Sequence, residues 1–241
     1  MRFLWLAVFS VALAQGVPKT ASPYLKGLGY VEALLFPNYG PYLELPAVYC
    51  VDVLRLIHEG KLALEEALDR VERLHRARFP SGAHLASPMG LALEACLKLG
   101  GSLDRVLWGR DWPALKELML GMVPSFVVPA RVGRLEEIRS WKARIVLQDG
   151  QGKELASLPH LNFVPLLRSE GRSYVGHVVY RFWEPMTRVA GGWELQGPGT
   201  WREGEIFLRA VGKAHQVAFV VDRGGKRETY VISPKRFPDL W

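Results

Sequence analysis

Apolar positions recur along this chain with two different periods, and the change falls near Pro124. From Val17 to about Met122 the spacing is helical. "ELPAVYCVDVLRLIHEG" (44–60) gathers Asp52, Arg55 and Glu59 on one face, with apolar residues elsewhere and Gly60 as a stop signal. Between Lys61 and Phe79, an apolar stripe of Leu64, Ala67, Leu68, Val71 and Leu74 runs until Pro80 ends it. Its polar face sets Glu66/Arg70, Asp69/Arg73 and Glu72/Arg76 four residues apart, acid before base, as on a solvated helix. Ser87-Pro88 opens a third helix as N-cap and first residue, and Gly100-Gly101 closes it. The run between, "MGLALEACLKL", is apolar nearly all round, which marks a buried helix. Shorter helices are predicted over 103–108 and 113–120.

After Pro124 the runs are short, alternating or apolar, and separated by turn residues. They predict strands over 126–132, 142–148, 154–158, 173–183, 192–196, 205–211, 215–221 and 227–232. "DGQG" (149–152) and "DRGG" (222–225) are hairpin signals. The expected architecture is therefore α+β with two domains: an N-terminal all-α helical bundle over 15–122, then a C-terminal antiparallel β-sandwich or barrel over 123–241. Within the second, "GEIFLRAVG" (204–212) resembles a late strand of fibronectin type III or immunoglobulin-like domains. The resemblance spans nine residues, and Gly204 stands where the tyrosine corner of that fold would place a Tyr.

The N-terminus adds a compartment. Arg2 precedes the apolar run "FLWLAVFSVALA", which ends in an A-x-A-like site at 12–14, the layout of a secretory signal peptide over 1–14. Twelve apolar residues fall short of the roughly 20 needed to span a bilayer, and a short retained anchor is the competing reading. The expectation is an exported protein, periplasmic or extracellular, with no transmembrane span after cleavage.

Charge divides at the same boundary as periodicity. Residues 15–122 carry 12 Lys+Arg against 12 Asp+Glu, whereas residues 123–241 carry 18 against 12, a net of +6. Such an excess draws anionic partners, among them wall polymers, lipid headgroups and nucleic acid, or it reflects basic residues scattered on a soluble surface. Asn occurs only at Asn38 and Asn162 and Arg dominates the bases, a bias shared by thermophiles and by GC-rich coding.

Catalytic signatures are scarce. Cys50 and Cys96 both fall on the apolar sides of their predicted helices, either as a disulfide or as two buried thiols. The six histidines form no HExxH and there is no CxxC, so no metal and no cofactor are expected. G-x-S-x-G, S-x-x-K and a P-loop are absent. Glu65/Glu66 and Glu136/Glu137 are adjacent carboxylates, which diverge on one helix instead of flanking a bond across a cleft. Glu32 and Glu44 flank the Tyr- and Pro-rich loop "FPNYGPYLELP" (36–46), the one place where a lone acid could line a groove.

The densest aromatic stretch is "YRFWEPMTRVAGGWELQGPGTW" (180–201). Alternation puts Tyr174, Val178, Tyr180 and Phe182 on a core face and His177, Arg181 and Trp183 on the solvent face; a bulge before Glu184-Pro185 would turn Trp183 inward. Trp193 shares a side with Leu195 and is expected in the core, while Trp201 sits in a turn region where it could cap the sandwich. His177, Arg181, Trp183, Arg188, Trp201, Arg202 and Arg209 thus form the candidate ligand face, suited to stacking on a sugar or a base with phosphate contacts.

These features point first to an exported, non-catalytic cell-envelope protein whose basic β-domain binds an anionic or glycan envelope polymer, or a protein partner. Two alternatives stand beside it. One is a hydrolase of envelope polysaccharide, with Glu32 or Glu44 of a catalytic helical domain moving the proton. The other is an exported nucleic-acid-binding factor, which is not favoured.

Overall fold

The computed structural model describes residues 30–35, 53–75, 77–87, 97, 123–184, 187–189, 192–194 and 201–236. Six of the predicted strands join two unpredicted ones, over 84–86 and 162–170, in two antiparallel sheets of four. In the first, β1 (His84–Ala86), β2 (Ser125–Val132), β6 (Ser173–Arg181) and β5 (Asn162–Glu170) lie side by side in that order. In the second the order is β10 (Lys226–Ile232), β9 (Gln216–Arg223), β3 (Lys142–Gln148) and β4 (Glu154–Pro159). A two-stranded ribbon, β7 (Thr187–Val189) with β8 (Gly192–Glu194), follows β6.

The sheets pack face to face through the residues that alternation places inward. The Phe126 ring of β2 stacks on Phe219 of β9 at 4.3 Å between centroids and 2° between planes, and Phe182 lies 5.5 Å from the same ring. Side chains of this size contribute about 1.5–3 kcal/mol each when fully buried. The chain changes sheets at Pro159–His160–Leu161. There the His160 amide donates to Ala143 O at 2.8 Å and the Leu161 amide donates to Arg181 O at 2.8 Å, tying one residue to each sheet.

A polar lock joins the sheets at the opposite side. Arg223 of β9 donates from Nη1 to Pro129 O of β2 at 2.9 Å, pairs through Nη2 with Glu228 Oε2 at 2.9 Å, and lies 4.9 Å over Trp141. Tyr230 donates its hydroxyl proton to the same carboxylate at 2.6 Å. Burial works to raise the Glu228 pKa, but Tyr230, Arg223 and Lys226 outweigh it and hold the carboxyl below its ordinary range. Burial pushes the Tyr180 hydroxyl the other way, up to about 12 despite the charge of Arg223.

The expected N-terminal all-α helical bundle is overturned. Among the described residues the protein is mostly β, with four short helices: α1 (Tyr30–Leu35), α2 (Leu64–His75), α3 (Glu136–Arg139) and α4 (Trp201–Val211). Helical periodicity correctly marked α2 and the helical residues 53–58, where Gly60 (φ 68°) closes the turn with its amide on Ile57 O and that of Lys61 on Leu56 O. It could not show what those elements pack against. Val31, Leu34 and Leu35 of α1, with Ala77, Phe79 and Leu85, belong to the same buried cluster as the two sheets. Residues 84–86 are themselves a strand of the first sheet.

A second correction falls at "GEIFLRAVG", the stretch that resembled a late immunoglobulin-like strand. It lies almost wholly in α4, which packs Phe207 and Val211, four residues apart, into the core beside β4. The hairpin signals stand as turns. Asp149 Oδ1 accepts from the Gln151 and Lys153 amides between β3 and β4, and Gly224 (φ 65°) with Gly225 (φ 97°) gives β9 and β10 a two-residue turn of positive φ. No helix among the described residues is long and apolar enough to cross a membrane.

Candidate functional site

The outward face of the first sheet is built from residues that alternate away from the core, and the strand register arranges them in rows. Val127 of β2, Val179 of β6 and Val164 of β5 form the central row. On one side of it lie Pro129, His177 and Leu166, then Arg131, Val175 and Arg168. On the other side lie Ser125, Arg181 and Asn162. An apolar centre thus has arginines at both ends, about 20 Å apart along the strands. Two carboxylates border this face among the described residues: Glu170 at the far end of β5, and Glu184, whose Oε1 accepts from Asn162 Nδ2 at 3.3 Å beside the Arg181 row.

Exposure rises across the central row from 9% at Val127 to 41% at Val164, and neighbouring Leu166 reaches 59%. The surface is therefore a ridge at the sheet edge. Arg131, Arg168 and Arg181 of this face, and Arg172 in the turn from β5 to β6, are exposed, and no carboxylate among the described residues pairs with them. Elsewhere Arg144 pairs with Glu154 at 3.1 Å, Arg209 with Glu205 and Arg223 with Glu228, while Arg134, Arg139 and Arg227 are exposed without an ion pair among the described residues. On β1, His84 Nδ1 donates to Gly82 O at 3.2 Å, and its ring lies 6.3 Å from that of His177.

Two local features hold β5 as the ridge. Gly176 of β6 faces it so closely that a Cβ there would stand 2.1 Å from Leu166 O, which must therefore point inward to β6. Groups of residues 163, 165, 167 and 169 then point to the free edge. Pro165 has no amide proton to offer there, so the edge is blunted against a further strand.

The sequence-based candidates disperse over the fold. His177 and Arg181 lie together on this exposed face, two rows of β6 apart. Trp183 does not join them. It is 0% exposed, with its ring 5.8 Å from Phe207 of α4, so the solvent-facing alternative is corrected. β6 ends at Arg181; beyond it the pleat no longer forces alternation, and Phe182 and Trp183 are both buried. Arg188 lies on β7 opposite Trp193 of β8, while Trp201 and Arg202 open α4. Arg209 is on α4 and is engaged by Glu205 one turn earlier. Glu32 lies on α1, whereas Glu44, Cys50, Cys96 and the 1–14 segment fall outside the described residues. Among the described residues no group of three His, Cys, Asp or Glu is arranged to hold a metal.

Sequence periodicity missed Val164, Leu166, Arg168 and Arg131 as members of one surface. Pro165 interrupts "NFVPLLR", which hid β5 from a strand search; a Pro within an alternating run was the available sign of an edge strand. Comparison with protein-family models, with curated proteins and with solved structures finds no match to this chain.

Proposed function

We propose that this is an exported, non-catalytic binding protein of the cell envelope, and that the outward face of its first sheet docks an anionic envelope component. The observation that carries this reading is the set of unpaired arginines 131, 168, 172 and 181 around an exposed apolar ridge. Opposite charge at these positions would steer an anionic partner onto the face, and the apolar centre would be buried on contact. The burial of Trp183 removes the residue best suited to stacking on a glycan, so charge and apolar contact carry recognition.

The test is elution from an immobilised polyanion. Arg168→Glu/Arg181→Glu should elute at markedly lower salt than wild type. Lys142→Glu/Arg227→Glu, an equal charge change on the outward face of the second sheet, should shift little. Equal shifts in the two variants would refute a dedicated face and leave net charge as the cause.

A further inference from the structure

We infer, resting on the reading above, that the anionic component is the surface of a phospholipid bilayer, met edge-on by β5. The juxtaposition that carries this is Val164-Pro165-Leu166, three consecutive exposed apolar residues on an edge strand, beside Arg168, Arg172 and Arg181. A protein helix or extended peptide needs a groove or an open strand edge to receive it. Here the exposed apolar residues lie on the outermost strand of the sheet, and Pro165 withholds a donor from that edge. An exposed apolar ridge suits the boundary between headgroups and acyl chains. Arginine stems can lie along such a ridge while the guanidinium groups reach lipid phosphates, which they engage through paired N–H donors. Anionic headgroups add an attraction for each arginine near the surface, so charge and apolar contact act on one partner at once.

The experiment combines vesicle flotation with hydrogen exchange on the full chain, using phosphatidylglycerol/phosphatidylcholine vesicles and vesicles of phosphatidylcholine alone. Exchange reads the ridge directly, whatever the N-terminal apolar segment contributes to flotation. Anionic vesicles should slow amide exchange over Asn162–Glu170, and phosphatidylcholine alone should not. Val164→Asp/Leu166→Asp and Arg168→Gln/Arg181→Gln should each abolish that protection and lower partitioning attributable to the ridge at least tenfold, with the unfolding midpoint unchanged. Protection that is absent from 162–170, or that persists in Val164→Asp/Leu166→Asp, overturns the inference. If the ridge ignores vesicles while Arg168 and Arg181 still govern polyanion elution, the bilayer is refuted and the anionic-face reading stands. Loss of both refutes both.

Discussion

The outward faces of the two sheets are written in similar residues, and their fates part at β5. On the second sheet Val146, Ala218 and Val220 form a buried cluster with Val231 packed against it, and Ala218 has no exposed surface. On the first, Val164 and Leu166 stand in solvent among unpaired arginines. Alternation along a strand separates two faces but does not say which of them will be covered. An apolar face that remains open is the more informative of the two, since contiguous exposed apolar surface marks contact with another body.

The largest test of this contrast is a carboxylate placed on each face. Ala218→Asp would bury an unpaired charge and should cost on the order of 4 kcal/mol or more, enough to prevent folding, as read by circular dichroism and proteolysis. Next comes the lock beneath the exposed face. Arg223→Met leaves the Glu228 carboxylate to Tyr230 and Lys226 and frees Pro129 O, and should cost about 1.5–3 kcal/mol in denaturant unfolding. Gly176→Ala drives a Cβ into Leu166 O and should cost about 1–3 kcal/mol, with faster amide exchange concentrated in β5 and β6.

A smaller effect is expected from pH. The folded pKa of Glu228 lies below its ordinary 4.5, so its contribution is fully present above that value and is lost as pH falls through the folded pKa. At the alkaline end the sign reverses in pH. Tyr180, raised to about 12, favours the folded state below pH 10 and ceases to do so as pH climbs through its folded value. Denaturant midpoints across both limbs should show a shallower acid limb in Glu228→Gln and a shallower alkaline limb in Tyr180→Phe. The smallest effect on stability belongs to Leu166→Asp, within about 0.5 kcal/mol, because the side chain already faces water. A large destabilisation by Leu166→Asp would mean that the ridge is covered within the protein itself, and the contrast between the two faces would fail.

Local chemistry was legible where it needed no partner. The strand over 142–148, the Gly224-Gly225 turn, the Asp149 turn and the Gly60 helix stop all follow from alternation or from backbone conformations that glycine and aspartate favour. Legibility ended where two periods fit the same residues. "EIFLRAV" reads as a strand by its short apolar run, yet Phe207 and Val211 also share one helix face, and packing beside β4 selects the helix. Of the candidate site, His177 and Arg181 were found because β6 alternates cleanly, while Trp183 was misplaced because alternation stops with the strand.

By itself, the sequence determined the position of most strands, the turns between them and the basic excess after residue 123, since each depends on neighbours within a few residues. Tertiary structure alone decided that α1 and β1 join the core of the sheets, that Trp183 is buried, and that β5 is the edge strand of its sheet among the described residues. Those outcomes depend on which distant surfaces exclude water from one another. Periodicity along the chain shows that an apolar face exists; only the assembled layers determine whether anything covers it.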